Sequence, residues 1–205
     1  MSALLLATRN PGKKREIQCL LAEKKLSLRL LSLDDVAAQG DIDETGMTFL
    51  ENARLKADFY SRLTGLDTLG DDSGLEVMAL GNRPGVFSAR YAGAGASDDA
   101  RIAKLLAELQ DVRDRRARFV SAVCISRGGN ALASFSGVVR GEILFEKKGN
   151  QGFGYDPLFF YPPLGKTFAE LGLEEKNRVS HRAHALEQAI KFILSGGLAR
   201  SEEKP

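Results

Sequence analysis

The segment that most constrains the fold is a pair of β runs over residues 118–143 that turns at Gly128, Gly129 and Asn130. Apolar and polar side chains alternate along both runs, and a glycine-rich turn between two such runs is typical of a β-hairpin. The hairpin commits the chain to a sheet with an antiparallel part.

The start of the chain predicts a strand, a loop and a helix. Residues 3–8, ALLLAT, form a short apolar run that stops at the loop RNPG. Ile17, Leu20 and Leu21 then recur at helical spacing, and residues 28–33 form a second short apolar run. Strands mixed with helices, together with the hairpin, predict an α/β fold with a mixed sheet.

Capping residues predict where the next helices begin. Thr48 and Glu51 form a capping box ahead of an apolar stripe, which predicts a helix over residues 48–63. Ser97 or Asp98 caps the following helix.

The remaining segments complete the prediction. Residues 67–80, DTLGDDSGLEVMAL, are interpreted as a strand, a polar turn and a second strand. Ser180 is expected to cap the last helix. The buried stripe of that helix consists of Ala185, Leu186, Ala189, Ile190, Ile193 and Leu194. The final segment, RSEEKP, is expected to fray.

Composition bounds the class of protein. The chain has 205 residues, of which 43% are hydrophobic, and this suits one compact domain over residues 1–205. The net charge is only +2, which argues against the large basic stripe of a polynucleotide binder. We therefore expect any recognised anion to be small, and the cluster Arg113, Arg115, Arg116 and Arg118 to be a solvated face.

The two cysteines and the apolar runs bear on the compartment. Cys19 and Cys124 show neither a zinc spacing nor a disulfide framework, so both are expected to be buried free thiols. The apolar run at the N-terminus is too short for a signal peptide, and no run is long enough to span a membrane. We therefore expect a cytoplasmic protein.

The loop ATRNPGK, residues 7–13, lies between the first strand and the first helix. A helix N-terminus exposes unpaired N–H groups and the positive end of its dipole, so a loop with Gly12 and Lys13 can hold phosphate oxygens. The loop lacks the glycine spacing of a Walker motif. A strand-to-helix turn with lysines on the surface remains the alternative.

Two acidic groups are candidate magnesium ligands. Asp41, Asp43 and Glu44 precede a helix, and on their own they are better explained as charges that complement its dipole. Asp71 and Asp72 are adjacent beside apolar residues, where carboxylates repel each other unless a cation or donors compensate them. Magnesium would do so, and a turn with the sequence Asp-Ser-Gly explains the pair equally well.

A glycine-aromatic segment, GNQGFGYDPLFF, could contact a planar base. Phe153 and Tyr155 could stack on the base while Asp156 reaches its polar edge. A packed turn is the alternative interpretation.

The segment EEKNRVSHRAHALE supplies hydrogen-bond donors near the cap of the last helix. Lys176, His181 and Arg182 could donate to carbonyl or phosphate oxygens. His184, on the same helix, is expected to lie on the surface.

Taken together, five ordered blocks resemble the inosine triphosphate pyrophosphatase family in its bacterial form. The blocks are LLLATRNPGKKREI, DETGMTFLENARLKA, GDDSGLEVMALGNRPGVFSARYAG, GFGYDPLFF and EEKNRVSHRAHAL, and they extend over almost the whole chain. The resemblance implies hydrolysis of deaminated purine triphosphates such as ITP, dITP and XTP to the monophosphate and pyrophosphate, which clears them from the nucleotide pool. It also implies Mg²⁺ as cofactor, a homodimer, and an elongated two-lobed α/β fold whose mixed β-sheet is flanked by helices, with the active site in the cleft between the lobes.

The resemblance also assigns roles to residues. Asp72 matches the family's proton acceptor and metal ligand, with Asp71 beside it, Lys56 assisting the triphosphate loop, and Asp43 or Glu44 supporting the metal. The positions that match the substrate-binding set are Thr8, Arg9, Asn10, Lys13, Ser73, Phe153, Gly154, Tyr155, Asp156, Lys176, His181 and Arg182.

The chain departs from that family pattern at two positions. Arg9 stands where many relatives have glycine, and it either adds a phosphate contact or alters the backbone of the loop. Asp43 stands where many bacterial relatives have glutamate, which leaves the second metal ligand open.

Two rival functions follow from the same residues. One is a nucleotide-binding regulatory module without turnover, which the presence of Asp71, Asp72 and Lys56 disfavours. The other is a pyrophosphatase for modified pyrimidine nucleotides, which the pair His181 and Arg182 disfavours.

Overall fold

A computed structural model describes residues 2–24, 28–38, 40 and 42–199. Asp41 and the expected frayed tail lie outside the described residues. The strands of the described chain are β1 Ser2–Ala7, β2 Leu28–Ser32, β3 Asp67–Val77, β4 Arg83–Pro84, β5 Arg116–Arg127, β6 Asn130–Ile143, β7 Phe159–Tyr161 and β8 Lys166–Thr167. Its α-helices are α1 Pro11–Glu23, α2 Phe49–Thr64, α3 Asp98–Glu108, α4 Leu173–Val179 and α5 His181–Phe192.

The sheet is mixed, as the sequence predicts. Its strand order is β2-β1-β3-β5-β6-β7-β8, and β4 pairs with β3 outside this path. β1 runs parallel to β2 and β3, whereas the pairs from β3 onward are antiparallel. Ala7 at the end of β1 is in register with Gly70 in the middle of β3. The loop after β1 therefore opens onto Asp71 and Asp72.

The predicted hairpin is confirmed as β5 and β6, which are joined by Gly128 and Gly129. These two glycines have φ values of 55° and 84°, so the turn needs residues that adopt left-handed conformations without strain. The long hairpin supplies the frame on which the other elements pack.

Helix caps agree with most of the sequence predictions. Thr48 caps α2 through the expected capping box, and Ser97, not Asp98, caps α3 with its side chain. Ser180 caps α5. The buried stripe assigned to α5 was one turn too long, because the helix ends at Phe192 and Leu194 is 65% exposed.

Helices cover both faces of the sheet. Leu4, Leu6 and Leu69 face α1 and α5, whereas residues of opposite parity face α2, as strand geometry requires. A second apolar core, centred on Leu75 and Phe159, fills the other end of the sheet. The middle of β3 and β5 lies between this core and the apolar residues that pack against α1, α2 and α5, and buried polar residues concentrate there.

The polar turn predicted around Asp71 and Asp72 was wrong, because β3 continues through both residues without interruption. Asp71 pairs with Val123 and Asp72 with Ala122 of β5. Neighbouring cations and hydrogen-bond donors compensate the two charges, so the ladder does not have to break to expose them. Gly70 is required here, since a Cβ at this position would lie 2.2 Å from the carbonyl oxygen of Ala53 in α2.

The arginine cluster is not the uniformly solvated face that its sequence predicts. Arg115 is only 8% exposed, and its guanidinium donates to the carbonyls of Leu109, Ile143 and Leu144 at 2.8–2.9 Å. It closes the junction between α3 and the open end of the hairpin.

Other expectations have mixed outcomes. Cys124 is a buried free thiol as predicted, whereas Cys19 is free and only partly buried. Within the described residues, no helix is both long and apolar enough to cross a membrane. The prediction of one domain over residues 1–205 stays a prediction.

Candidate active site

A cleft opens where three parts of the chain meet: the loop after β1, the middle of β3, and residues 149–158, the aromatic segment before β7. Lys56, Asp72 and Glu44 line it, whereas Asp71 and Asp43 do not. All of the predicted substrate-binding residues also line it: Thr8, Arg9, Asn10, Lys13, Ser73, Phe153, Gly154, Tyr155, Asp156, Lys176, His181 and Arg182. The fold thus gathers residues that are up to 174 positions apart in the sequence, from Thr8 to Arg182.

The loop between β1 and α1 forms a cationic end of the cleft. The Asn10 side chain is the N-cap of α1 and accepts a hydrogen bond from the Lys13 N–H at 3.0 Å. The Asn10 N–H in turn donates to the Thr8 hydroxyl at 3.2 Å. The positive end of the α1 dipole and the Lys13 side chain therefore both place positive charge at this end of the cleft.

Arg9 differs from the other cations of the cleft. Its Nη2 donates to the carbonyls of Ala38 and Gly40, each at 3.1 Å, and so ties the loop to the segment after β2. Within the described part of the chain it has no carboxylate partner. Its charge is left to attract an anion, while its hydrogen bonds hold the backbone, so the two roles considered for Arg9 are compatible.

Asp71 and Asp72 point to opposite faces of β3. Asp71 is fully buried toward α1 and α5, where it pairs with Lys13 Nζ at 2.8 Å and accepts from the Ser121 hydroxyl at 2.9 Å and from Arg182 at 3.4 Å. Burial would raise the pKa of Asp71, but Lys13 and Arg182 outweigh it and hold this pKa far below its usual value. Asp71 does not reach the cleft surface, so we treat it as a positioning residue, not a catalytic one.

Asp72 faces α2 and the cleft. One oxygen, Oδ2, accepts from Asn52 Nδ2 at 3.1 Å, while Oδ1 lies 3.6 Å from Lys56 Nζ and 3.8 Å from Lys13 Nζ. Burial raises the pKa of Asp72 more than the two ammonium groups lower it. A carboxylate with a raised pKa beside an anion site is suited to accepting a proton.

Glu44 is the second cleft carboxylate beside Lys56. It lies 2.8 Å from Lys56 Nζ, and Arg90 donates to its backbone carbonyl at 3.2 Å. Lys56 therefore lies between two carboxylates, Glu44 and Asp72. Asp43 is exposed and lies outside the cleft lining, so of the two alternatives only Glu44 is in place to share a cation with Asp72.

A buried charge cluster lies beneath the cleft. Glu16 of α1 contacts both Lys176, at 2.7 Å, and Arg182. Lys176 also pairs with Asp156 at 2.5 Å, and Arg182 donates to the Ser73 hydroxyl at 2.7 Å. Burial would raise the pKa of Glu16, but the charges of Arg182 and Lys176 lower it further than burial raises it. The carboxylate of Glu16 therefore fixes both cations in place.

The aromatic end of the cleft is formed by the segment before β7. Tyr155 is buried, and its hydroxyl donates to the Ser88 carbonyl at 3.0 Å, so Phe153 is the more accessible of the two rings predicted to stack on a base. Asp156 Oδ2 accepts from the Phe153 N–H at 2.8 Å and contacts Lys176. This oxygen of Asp156 is thus engaged inside the protein.

His181 stacks on Phe119, with ring centroids 4.7 Å apart, and lies parallel to Phe168. Its Nδ1 is buried and has no hydrogen-bond partner among the described residues. Burial lowers the pKa of His181 well below its usual value, and the positive charges of Arg182, Lys176 and Lys13 lower it further. The negative charge of Asp71 acts in the opposite direction but does not outweigh them. The imidazole is therefore neutral at pH 7.

The lowered pKa of His181 predicts how the free energy of unfolding depends on pH. In the unfolded chain His181 has a pKa of about 6.5, and above this pH neither the folded nor the unfolded protein binds a proton at His181. Below this pH only the unfolded protein binds one, so the free energy of unfolding falls as the pH falls. Between pH 7.5 and 5.5 we expect the wild type to lose about 1.4 kcal/mol more unfolding free energy than His181→Phe. Urea unfolding at both pH values measures this difference.

His184→Phe is the matched control, because His184 is exposed on the same helix. It should keep the pH dependence of the wild type. A His181→Phe protein that loses stability as steeply as the wild type over this interval would contradict the buried, neutral state of His181.

The sequence did not predict three members of the site, Glu16, Asn52 and Arg101. For Glu16 a signal existed, because it shares the helical face of Ile17 and Leu20, where a charge must be paired. Asn52 precedes Lys56 by one helical turn and so shares its face. Arg101 lines the cleft from α3, and its sequence context gave no signal.

The cleft therefore has a cationic end built on a helix N-terminus, a carboxylate pair in the middle and an aromatic end lined with donors. Such a site in an open α/β sheet defines a protein that binds a phosphorylated nucleotide and carries a candidate general base.

Comparison with known proteins gives the family. The model of the Ham1 family matches residues 4–192, and the chain belongs to that family. A dITP/XTP pyrophosphatase of Geobacter sulfurreducens is 50% identical over 188 residues, which cover 91% of this chain and 94% of the relative. Another, of Thermus thermophilus, is 47% identical over 203 residues, covering 98% of this chain and 96% of the relative.

Solved structures agree with the fold. A HAM1 protein from Coxiella burnetii has a TM-score of 0.87 at 42% identity, with 95% of this chain and 100% of that chain covered. The Staphylococcus aureus Ham1 protein has a TM-score of 0.84 at 38% identity, with 95% and 99% covered. The resemblance to the pyrophosphatase family and the mixed α/β fold inferred from the sequence are confirmed.

Proposed function

We propose that the protein hydrolyses deaminated purine nucleoside triphosphates, ITP, dITP and XTP, to the monophosphate and pyrophosphate, and so clears them from the nucleotide pool. The observation that carries the proposal is the position of Asp72: its carboxylate lines the cleft and lies 3.8 Å from Lys13 Nζ and 3.6 Å from Lys56 Nζ. The names of the similar proteins support the same substrate class.

The reaction breaks the bond between the α phosphorus and the oxygen that bridges it to the β phosphorus. Water attacks the α phosphorus, its proton passes to the carboxylate of Asp72, and the bridging oxygen leaves with pyrophosphate. Lys13, Lys56 and the N-terminus of α1 stabilise the charge that develops on the leaving group. Arg9, which has no acidic partner among the described residues, adds a further positive charge for the phosphates.

Mg²⁺ fits the donor set of this cleft. Glu44 and Asp72 lie 2.8 and 3.6 Å from the Lys56 ammonium, and this proximity supports a cation held between the two carboxylates. Among the described residues no three acidic, cysteine or histidine side chains form a metal cage, and Mg²⁺ commonly takes one or two carboxylates with water and phosphate oxygens. Asp72 and Glu44 would hold the ion, and it would neutralise phosphate charge during the reaction.

Base selectivity follows from donors at the aromatic end. Hypoxanthine and xanthine present a 6-oxo acceptor where adenine has an amino donor, so His181, Arg182 and backbone N–H groups would leave adenine unpaired. Phe153 offers a ring for stacking. Guanine shares the 6-oxo group, so its rejection requires exclusion of the 2-amino group.

One assay separates this function from the rival functions. The protein is incubated with MgCl₂ and ITP, and released pyrophosphate is measured against ATP, GTP and modified pyrimidine triphosphate controls. Rapid pyrophosphate release from ITP alone among these supports the proposal. Tight binding of ITP without release indicates a regulatory module, and preferential release from a pyrimidine nucleotide indicates the other rival enzyme.

The assignment of Glu44 makes a second prediction. Glu44→Gln removes one of the two proposed carboxylate ligands, so the Mg²⁺ concentration for half-maximal activity should rise by about ten-fold. Asp43→Asn should leave it unchanged, because Asp43 is exposed and lies outside the cleft lining. Pyrophosphate release titrated with MgCl₂ measures both, and equal shifts in the two variants would contradict the assignment.

The proposal also keeps the expected setting of the enzyme. Its substrates are small nucleotides and not nucleic acid polymers, which agrees with a net charge of +2. We propose that it acts in the cytoplasm as a homodimer, as the resemblance to the family implies. Sedimentation of the purified protein at micromolar concentration tests the dimer.

A further inference from the structure

Asp98, the first residue of α3, contacts the segment before β7. Its Oδ2 accepts a hydrogen bond from the Gly154 N–H at 2.5 Å, and its Oδ1 pairs with Arg101 one turn further along the helix. Asp98 does not line the cleft, whereas Gly154 and Arg101 both do. The contact therefore joins two walls of the cleft from behind.

Arg101 holds the Asp98 carboxylate in position. Its Nη1 donates to the carbonyls of Ala89 and Ala96 at 2.7 and 2.8 Å. The guanidinium is thus tied to the backbone before α3 as well as to Asp98. A carboxylate fixed on both sides has little freedom, so it constrains the amide that it binds.

Two successive amides of the aromatic segment end on carboxylates. The Phe153 N–H donates to Asp156 and the Gly154 N–H donates to Asp98. Gly154 has φ of 62°, and a Cβ there would meet nothing within 4 Å. Glycine is therefore favoured at this position by the backbone conformation and not by a lack of space for a side chain. Asp98 therefore fixes a peptide plane in a residue that would otherwise adopt many conformations.

That peptide plane sets the direction of the neighbouring ring. Phe153 packs against the N-terminus of α1, where a Cβ on Gly12 would lie 2.4 Å from the ring. Its ring also lies 5.0 Å from the Lys176 ammonium. A rotation at Gly154 would displace Phe153 from both the phosphate end and the buried charge cluster.

We propose that Asp98, held by Arg101, is a positioning residue that sets the placement of Phe153 and so the selectivity for the purine base. This inference rests on the proposed function, since it concerns how that site recognises its substrate. Asp98 acts through the Gly154 amide and does not touch the nucleotide itself.

The experiment compares Asp98→Ala, Asp98→Asn and Asp99→Asn. The alanine variant removes the acceptor for Gly154, the asparagine variant keeps a neutral acceptor without the ion pair, and Asp99 is an exposed neighbour that pairs only with Lys147 in the described residues. For each protein, pyrophosphate release gives kcat and KM for ITP and ATP. Hydrogen exchange at the Gly154 amide reports the contact directly.

We expect Asp98→Ala to raise KM for ITP about ten-fold with kcat changed less than about two-fold, because binding and not the chemical step is disturbed. The ITP-to-ATP ratio of kcat/KM should fall by a similar factor, and Gly154 exchange should accelerate. Asp98→Asn should be intermediate in all three readouts, and Asp99→Asn should match the wild type.

Four outcomes would overturn the inference. Faster exchange at Gly154 with unchanged KM and selectivity would make the contact purely structural. Equal effects of Asp98→Asn and Asp99→Asn would indicate a general effect of charge at the helix terminus. A wild-type protein that releases no pyrophosphate from ITP contradicts the proposed function as well, whereas an active wild type with an unaffected Asp98→Ala contradicts this inference alone.

Discussion

Asp72→Asn is expected to lower kcat for ITP by about a thousand-fold while the protein keeps its fold. The amide cannot take the proton from water, and general-base contributions of this kind are typically two to four orders of magnitude. Burial raises the pKa of Asp72, so a neutral side chain of the same shape relieves a desolvation cost. We therefore expect the unfolding free energy to be unchanged or higher.

Pyrophosphate release and urea unfolding measure the two halves of this prediction. Asp67→Asn is the matched control, because Asp67 lies on the same strand but pairs with Arg127 outside the cleft lining. It should retain the wild-type rate. If Asp72→Asn kept a near-normal kcat with a well-folded protein, Asp72 would not be the base.

Glu16→Ala is expected to be the most destabilising substitution at the site. Removing the carboxylate leaves Lys176 and Arg182 buried with Asp156 and Asp71 as their only acidic partners among the described residues. Breaking one side of a buried ion pair costs about 3–5 kcal/mol. Because both cations also line the cleft, kcat/KM for ITP should fall by at least about ten-fold in whatever fraction remains folded.

Urea unfolding and kinetics at a temperature where the variant is folded test this prediction. Glu23→Gln is the control, since Glu23 lies near the end of the same helix and is exposed. Loss of less than about 1 kcal/mol in Glu16→Ala would show that the two cations find other compensation.

Most of the fold could be predicted because its signals are local. The capping box at Thr48, the glycine turn of the β5–β6 hairpin and the helical spacing from Ile17 each depend on residues a few positions apart. Arg115 was misassigned because its partners, Leu109, Ile143 and Leu144, come from both sides of it and up to 29 positions away. No pattern near position 115 distinguishes such an arginine from a solvated one.

The sequence predicted which residues line the cleft better than it predicted where each side chain points and what it contacts. Residue type and order pointed to Asp71 and Asp72 together, because adjacent residues share one sequence context. Strand geometry then turned them to opposite faces, so that Asp72 meets the cleft and Asp71 meets Lys13 and Arg182. Glu44 and Asp43 are also adjacent in the sequence, but they lie outside any strand, and only Glu44 belongs to the cleft lining.

By itself, the sequence determined the class of fold, the order of the longer helices and of the β5–β6 hairpin, the family, and most of the residues to which we assign chemistry. These properties depend on periodicity, capping and motif spacing, which can be recognised from the order of residues in the sequence. Only the tertiary structure decided that Glu16 neutralises Lys176 and Arg182, that Asp98 holds Gly154, and that Arg9 has no carboxylate partner within the described chain. Burial and charge compensation arise from contacts between distant segments, so they exist only once the chain has folded.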